Sequence, residues 1–539
     1  MAKKDTSLKF NPSVGIGKSI LEDNAFSRCI DNETYDGVAR IGKKTIQAVN
    51  ENTDWDSQTW TIGGTTQVVL PDLVTGWFNS FPVTFSSTGA LPDNISADTV
   101  YYLRLITTGT FKNYFVYNTY DDAQTEAGYI NIYNSDAGSG TLTVEPVEMK
   151  EVKQFLGAYF IDRDGNFWKM KRDSSYYTPE LISTSFYGKG LVEYKDYIYL
   201  FRGNGVDRYE KATGTITEDW QTEIIISGMV NKDNILYMYY DNKIASYDGT
   251  TYNAEAYILP TEADITCLNE VGFYLIIGTE DNKLFLWDTI KINKAETVIN
   301  LSDRPKMIIS VNHLAYVVLA NADIYYTDGS SVVLYKKFPV HILDDPDNLD
   351  FDLYEHSNFI KDNNIYLGLH QSNYYRAQAG IYKLNLITGD MRLSHILANG
   401  KDTNRIYAMT KDYVSYRNSD GEFSIDEFSE SERYSTGAII YSPFYTTGTE
   451  MKKITYNTTN ISLIKPLTEN QSVIVSYRTA LNGSWVEIGT ADTVGKDEFA
   501  ISHTIPDTTK IQLKAEIKTG TSLSQSRLTP DLKGIILYE

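Results

Sequence analysis

The central part of the chain repeats one pattern with a period of about forty residues. Between about residues 150 and 434, short aromatic and β-branched runs alternate with polar turns. The turn residue before the second run of each copy marks the repeat, and consecutive markers are spaced by 40, 37, 40, 39, 59 and 32 residues. The seven markers are Gly165, Gly205, Asn242, Asn282, Asn321, Gly380 and Asp412. An all-strand repeat of this length is typical of propeller blades, each a four-stranded antiparallel sheet.

A single small sheet cannot bury both of its faces, so blades become stable only when they stack around an axis. Alternating residues such as those in the run 197–201 fit strands that are covered on both faces. The sequence therefore predicts an all-β fold with a seven-bladed β-propeller, with six or eight blades and a many-stranded β-sandwich as alternatives. The long interval indicates a surface insertion at 341–356, where five Asp residues favour solvation.

Length and flanking strand patterns divide the rest of the chain. A chain of 539 residues exceeds a single core, and we predict an N-terminal segment 1–55, a small β-sandwich or barrel module 56–149, the propeller 150–436 and a C-terminal, jelly-roll-like β-sandwich 437–539. Because an open propeller leaves two strand edges exposed, segment 1–55 is a candidate to supply a closing strand. In the last unit, Asn482-Gly483 is predicted to form a two-residue hairpin turn.

Charge and cysteine usage limit the classes of function. The net charge of −21 argues against nucleic acid as a partner bound through broad phosphate contacts. The two cysteines, Cys29 and Cys267, are far apart and in no metal-binding or redox spacing. The start of the chain lacks an apolar signal core, and no run of eighteen apolar residues occurs. These features predict a protein made in a cytoplasm that does not span a membrane.

Enzyme and metal motifs are sparse, and we predict no catalytic, cofactor or metal residues. The six histidines form no HExxH or paired metal spacing, and Gly17-Lys18-Ser19 lacks the first glycine of a P-loop because Pro12 stands there. The segment 162–166 begins like a calcium loop, but Phe167 replaces the required glycine, and a hairpin turn is the favoured interpretation. An acidic cluster could bind a cation, although a solvated loop is favoured; its members are Asp344, Asp345, Asp347, Asp350 and Asp352.

Adjacent tyrosine pairs on predicted strands offer rings on which a sugar could stack. Since neighbouring strand residues point to opposite faces, half of these rings are expected in the core. The pairs are Tyr239 and Tyr240, Tyr325 and Tyr326, and Tyr374 and Tyr375.

Two stretches resemble phage structural proteins. In 83–146, the resemblance rests on Val83-Thr84-Phe85, Thr88-Gly89, Leu91-Pro92, Tyr101-Tyr102 and the run 137–144. It departs from the family pattern at Asp93-Asn94, where a glycine-type turn is usual. In the C-terminal unit, similar motifs occur at 475–477, 482–485, 488–490, 511–514 and 532–536. The order of propeller and then sandwich is similar to that of tail proteins of short-tailed phages.

The resemblance implies a non-enzymatic structural protein of a phage tail, located in the virion and synthesised in the host cytoplasm. Proteins of this kind form a nozzle, usually a sixfold ring, so it implies other copies of the chain as partners, along with neighbouring tail proteins such as an adaptor or fibres. Genomic DNA would be in contact only in passage. The alternatives are a tail-fibre or receptor-binding protein that recognises a host-surface glycan, and a propeller that acts as an interaction hub with no viral role.

Overall fold

The computed structural model is built almost entirely of β-strands. It describes short strand segments within 7–70, and then 81–130 apart from 93, 98 and 106–111. Further along it describes 140–337 apart from 148, 174–175, 185–187, 203–204, 223–224, 291–296 and 322, and 351–428 apart from 353, 372–379, 390, 398–404, 419–420 and 422. The last described part is 437–538 apart from 443–444, 447–453, 481–482 and 520–529.

The first 150 residues contribute fifteen of the described strands and one short helix. The strands before residue 51 are β1 (Ser7–Phe10), β2 (Gly15–Ile16), β3 (Ala25–Phe26), β4 (Arg28–Ile30), β5 (Asn32–Tyr35), β6 (Val38–Ile41), β7 (Lys43–Lys44) and β8 (Ile46–Asn50). The elements that follow are β9 (Gln58–Thr59), β10 (Thr61–Gly63), β11 (Gln67–Leu70), β12 (Phe81–Ser87), β13 (Tyr101–Leu105), β14 (Lys112–Tyr117), α1 (Tyr120–Thr125) and β15 (Leu142–Pro146).

Strands β9 to β15 form one antiparallel sheet in the order β10-β11-β14-β13-β12-β15-β9. The two ends of this order are consecutive in the chain, separated only by Trp60, whose N–H donates to the carbonyl of Leu142 at 3.1 Å. The sheet therefore closes on itself around a core that includes Val83, Phe85 and Leu103. Helix α1 begins after Thr119, whose hydroxyl accepts from the N–H of Asp122 at 3.1 Å.

Seven sheets follow one another along the central region, and we number them sheets 1 to 7. Sheets 1 to 3 contain β16 (Val152–Leu156), β17 (Tyr159–Asp162), β18 (Phe167–Asp173), β19 (Tyr176–Ser183), β20 (Gly188–Tyr194), β21 (Tyr197–Arg202), β22 (Gly205–Glu210), β23 (Thr215–Gln221), β24 (Gly228–Lys232), β25 (Ile235–Tyr240), β26 (Lys243–Tyr247) and β27 (Tyr252–Ile258). Sheets 4 and 5 contain β28 (Ile265–Val271), β29 (Tyr274–Thr279), β30 (Lys283–Trp287), β31 (Thr297–Asn300), β32 (Pro305–Val311), β33 (Leu314–Leu319), β34 (Asp323–Thr327) and β35 (Val332–Lys337).

Sheets 6 and 7 recruit strands from the N-terminal segment. Sheet 6 contains β36 (Phe351–Asp352), β37 (Asn358–Lys361), β38 (Asn364–Gln371), β39 (Gly380–Asn385) and β40 (Met391–Ile396), and sheet 7 contains β41 (Arg405–Met409), β42 (Tyr413–Arg417) and β43 (Phe423–Glu427). β7 pairs in parallel with β40, and β8 pairs antiparallel with β43 as the fourth strand of sheet 7. The local sequence of sheet 7 thus supplies only three of its strands.

The predicted all-β class is confirmed, and the four-stranded antiparallel sheets are arranged as in a propeller. Five successive sheets each consist of four consecutive strands that pair in chain order. The first strands of sheets 1 to 5 pack against one another in turn, and β16 of sheet 1 also packs against β41 of sheet 7. The buried faces are apolar; in β25, for example, five consecutive residues from Leu236 to Tyr240 are buried. Mutual burial of neighbouring sheets explains why these strands carry apolar residues on both faces.

The seventh repeat marker was wrong by one hairpin. The first six markers lie in the turn between the second and third strands of their sheets or, for Gly205 and Gly380, at the first residue of the third strand. Asp412 instead lies between the first strand β41 and the second strand β42. The equivalent turn contains Gly421, with φ of 88° and an N–H that donates to the carbonyl of Asn418 at 3.1 Å. The spacing from Gly380 to Gly421 is 41 residues, close to the others. Most of the predicted insertion 341–356 lies outside the described residues. Its described strand, β36, pairs with β38, which follows the insertion in the chain.

The C-terminal unit contains two six-stranded sheets that include N-terminal strands. Its own strands are β44 (Gly437–Tyr441), β45 (Tyr445–Thr446), β46 (Ile454–Leu463), β47 (Ser472–Arg478), β48 (Val486–Ala491), β49 (Glu498–Thr508), β50 (Lys510–Lys518) and β51 (Leu532–Tyr538). One sheet has the order β49-β46-β51-β6-β5 with β1 also on β51, and the other has β4-β44-β50-β47-β48 with β45 also on β50. β2 and β3 form a separate parallel pair.

Two features of the C-terminal unit differ from the prediction. Segment 1–41 contributes strands to it, so the unit does not consist of 437–539 alone. The predicted two-residue turn at Asn482-Gly483 is wrong because the last paired residues of β47 and β48 are Tyr477 and Val486. The N–H of Gly483 instead donates to the carbonyl of Ala480 at 3.0 Å, within the longer connection between β47 and β48.

Candidate functional site

The seam between sheets 1 and 7 brings together residues that are distant in sequence. The N–H of Val152 donates to the hydroxyl of Ser415 at 3.2 Å, and both residues are fully buried. Beside them, the carboxylate of Glu151 is ion-paired with Arg417 and lies 3.5 Å from the guanidinium of Arg163. The Glu151 side chain is only 3% exposed, so its charge requires these partners.

The closed sheet of 58–146 packs on this seam. Its apolar residues share one buried cluster with residues of sheet 1, such as Trp168, and of sheet 7, such as Phe423. The buried hydroxyl of Tyr102 donates to the carbonyl of Leu181 at 2.6 Å, and burial, followed by the nearby charge of Glu180, raises its pKa. The ammonium of Lys171 lies 4.2 Å from the ring centre of Tyr120. These contacts join the N-terminal module to the first and last sheets.

Similar contacts tie other neighbouring sheets together near their first strands. The side-chain amide of Gln154 donates to the carbonyl of Leu191 at 2.8 Å and accepts from its N–H at 2.7 Å, which links sheets 1 and 2. Asn269 donates to the carbonyl of Ile308 at 2.7 Å between sheets 4 and 5. Each contact satisfies a backbone group that the sheets themselves leave unpaired, so it fixes the position of one sheet against the next.

The turn before β37 carries two ionisable side chains, Glu355 and His356. Asn358 donates to the carbonyl of Glu355 at 2.7 Å, and the N–H of Met409 in sheet 7 donates to the carbonyl of His356 at 2.8 Å. The Glu355 side chain keeps an accessible surface, but the surrounding protein restricts its hydration and raises its pKa to about 7. The same desolvation lowers the pKa of His356 to about 4.

Glu355 acts on residues of sheets 3 and 4 although it belongs to sheet 6. Burial, and to a smaller extent the charge of Glu355, raise the pKa of Tyr239 in β25. Burial is also the main cause that raises the pKa of the Cys267 thiol to about 12, with Glu355 again contributing. The carboxyl of Glu355 therefore interacts electrostatically with one group in sheet 3 and one in sheet 4. The raised pKa of Glu355 and the lowered pKa of His356 both favour the uncharged form of the side chain.

The calcium-loop candidate at 162–166 is a hydrogen-bonded hairpin turn. Asp162 is fully buried and accepts from the N–H of Asn166 at 2.9 Å, the side-chain amide of Asn166 at 3.0 Å and the indole of Trp168 at 2.9 Å. Burial raises its pKa while these hydrogen bonds oppose the increase. With its oxygens engaged inside the protein, Asp162 stabilises the turn between β17 and β18.

The tyrosine pairs and the acidic cluster are only partly within the described residues. Tyr239 and Tyr240 are 3% and 7% exposed, so they are core residues, and Tyr325 and Tyr326 are half-buried. Tyr374, Tyr375 and the acidic residues at 344, 345, 347 and 350 lie outside the described residues, as does the side chain of Asp352. Within the described part of the chain, no group of three or more His, Cys, Asp or Glu side chains is placed to hold a metal ion, and no helix there is long and apolar enough to cross a membrane.

A charged cluster in sheet 2 was missed by the sequence reasoning. Asp207 is 1% exposed; its carboxylate accepts from the N–H of Asp219 at 2.6 Å and lies 3.3 Å from the guanidinium of Arg202. The register between β22 and β23 shifts at this point, and Asp219 adopts a φ of 51°. The only sequence signal was an Asp at a position where the strand pattern requires an apolar residue.

No family model matches this chain, and no match was found among curated proteins. The similar solved structures include the WD40 β-propeller domain of Doa1, with 11% identity over 52% of this chain and 94% of that chain and a TM-score of 0.38. A chain of the mitotic checkpoint complex covers 52% of this chain and 90% of its own length at 12% identity and a TM-score of 0.38. The computationally designed Ika8 protein matches over 52% and 97% at 11% identity, with a TM-score of 0.34. Similarities this distant indicate no activity or partner.

Proposed function

We propose that this chain is a non-enzymatic structural protein of a phage tail that assembles with other copies into a ring. The observation that carries the proposal is the path of the N-terminal segment. β1, β4 and β6 pair with strands of the C-terminal unit, whereas β7 and β8 pair with sheets 6 and 7. Mechanical force on the C-terminal unit is therefore resisted by interstrand hydrogen bonds as well as by the covalent connection at 428–437, which suits a protein that must stay intact during DNA ejection.

Under this proposal, the chain folds as a seven-bladed propeller with a barrel on one side and a β-sandwich at the C-terminus. Sheets 1 to 7 are the blades, and β8 closes the ring by completing the seventh. The seam contact of Val152 with Ser415 supports this closure. The barrel lies on the connection between the last strand of blade 7 and the first strand of blade 1, where a domain can be inserted without altering any blade.

The conduit for DNA would be the axis of the assembled ring. In this arrangement the turn with Glu355, which interacts electrostatically with groups of blades 3 and 4, would lie near the propeller's own axis. Copies arranged head-to-tail would instead surround a larger central opening. The net charge of −21 would keep the phosphate backbone from adhering to the wall during ejection.

The partners under this proposal are other copies of the chain, an adaptor and tail fibres, and the location is the virion tail. The resemblances at 83–146 and 471–537 supply the link to phage tails. Labelling virions with antibodies to the purified protein and imaging them by electron microscopy tests the location. Label at the tail supports the proposal, whereas purified virions free of the protein would remove it.

A further inference from the structure

A partly exposed tryptophan is held over the outer face of a C-terminal sheet. Trp485 lies in the loop between β47 and β48. The guanidinium carbon of Arg478 is 4.8 Å from its ring centre, and the ammonium of Lys514 is 5.4 Å away. The ring of Tyr441 also lies at 5.4 Å with an interplanar angle of 47°. Three side chains from three different strands therefore fix the position of one indole.

All three supporting side chains rise from the same face of the sheet. Tyr441 is paired with Lys514 across β44 and β50, and Arg478 is paired with Gln512 across β47 and β50. Along β50, alternate residues from Ile511 to Ile517 face the core. Gln512, Lys514 and Glu516 therefore lie on the face of the sheet that points away from the core. The cations thus approach Trp485 from the sheet, and the indole remains partly exposed.

The support beneath the ring is itself fixed by hydrogen bonds. The Nε of Arg478 donates to the side-chain oxygen of Gln512 at 2.7 Å, and the amide of Gln512 donates to the carbonyl of Ser442 at 2.7 Å. Lys514 is ion-paired with Glu516 at 2.5 Å, and Lys518 lies 3.7 Å from the same carboxylate. An aromatic ring held in this way loses little conformational freedom when a ligand stacks on it, which favours binding.

We propose that this Trp485 face binds a glycan, with the apolar C–H face of one hexose ring stacked on the indole. The negative face of an aromatic ring attracts such weakly positive C–H groups. Ser484 and Glu487, which are exposed on either side of Trp485 in the chain, offer polar groups for sugar hydroxyls. The inference does not depend on a structural role in a tail, since a glycan site on the sandwich serves any protein that contacts a cell surface.

Affinity electrophoresis of the full chain tests the proposal with three soluble probes: a neutral glucan, a galactan and a polysaccharide rich in uronic acid. At least one probe should retard the wild-type protein. Trp485→Ala should raise the dissociation constant about tenfold, the equivalent of one aromatic contact, whereas Trp485→Phe should retain most of the affinity. Trp220→Ala is the matched control, because Trp220 is also partly exposed but packs among tyrosines of sheets 2 and 3.

A chemical measurement on the unmutated protein covers the case in which Trp485→Ala does not fold. The retarding polysaccharide should slow the oxidation of Trp485 by N-bromosuccinimide, mapped by mass spectrometry, and leave that of Trp220 unchanged. The proposal is overturned if none of the three probes retards the wild type, if a folded Trp485→Ala binds as well as the wild type, or if the polysaccharide gives Trp485 no protection.

Discussion

The backbone N–H of Val152 donates a hydrogen bond to the hydroxyl of Ser415, which lies 263 residues later in the chain. Val152 begins β16 in sheet 1, and Ser415 is in β42 of sheet 7. The contact joins parts of the chain that are far apart in sequence, so its formation carries a loop-closure entropy cost. It therefore reports directly on the contact between sheets 1 and 7.

Removing this hydroxyl should loosen the seam. Ser415→Ala leaves the buried N–H of Val152 without its partner, which we expect to lower the free energy of unfolding by about 1–3 kcal/mol. Ser424→Ala is the control, because Ser424 is also buried in sheet 7 but bonds to Asp426 in the same strand. Hydrogen exchange should accelerate in β16 only for Ser415→Ala; equal protection of β16 in both variants would argue against the seam.

A proline in β8 should open sheet 7. Gln47 pairs with Asp426, and Gln47→Pro prevents regular pairing of the outer strand with β43. The exposed strand edge should increase aggregation, and hydrogen exchange should rise in Phe423–Glu427. Lys9→Pro is the control, since β1 pairs with β51 in the C-terminal unit. Unchanged exchange in Phe423–Glu427 would mean that β8 does not complete sheet 7.

Asp162→Ala should destabilise the chain without involving a metal ion. The substitution leaves the buried indole N–H of Trp168 and the N–H of Asn166 unpaired, at a cost of about 2–4 kcal/mol. The exposed neighbour Asp164 in the same turn serves as the control, with an expected change within about 0.5 kcal/mol for Asp164→Ala. Melting temperatures with calcium and with a chelator should coincide, whereas stabilisation by calcium that Asp162→Ala abolishes would restore the calcium-loop interpretation.

Glu355 should make stability fall as the pH rises. Its pKa in the folded chain is about 7, above the ordinary 4.5, so the folded state holds a proton that the unfolded state has lost. The contribution of Glu355 to the free energy of unfolding is most favourable below its ordinary pKa of 4.5. This favourable contribution is lost as the pH rises through about 7. Glu355→Gln should therefore gain stability over the wild type between pH 5 and pH 8, measured by denaturant titration. A constant difference across this range would contradict the raised pKa.

The repeat length and the strand content were readable from the sequence because the strands of sheets 1 to 5 are local and hydrophobic on both faces. The seventh marker was misplaced because the fourth strand of sheet 7 is β8, about 370 residues before its partner β43, and no local pattern encodes such a pairing. The same applies to β4 and β6 in the C-terminal unit. Tyr239 and Tyr240 looked like a sugar platform because alternation predicts that one ring faces outward, but neighbouring sheets cover both.

The side-chain contacts that build the candidate sites join residues that are distant in the sequence, so sequence spacing does not reveal them. Glu151 meets Arg417 only after closure, and Trp485 meets Lys514 only because β47 and β50 are neighbours in one sheet. The sequence predicted a hairpin turn at Asp162. It did not reveal that the Asp162 carboxylate accepts a hydrogen bond from the indole of Trp168, a contact that only the folded structure shows.

Cryo-electron microscopy of the purified chain and of the virion tests the central claim most directly. A structural ring component should give class averages with cyclic symmetry, sixfold in the favoured arrangement, in which each subunit contains a propeller with the turn of Glu355 near its axis. The same density should be found in the tail, with DNA on the axis of the ring. Single, unassembled particles together with virions that contain no such ring would contradict the account.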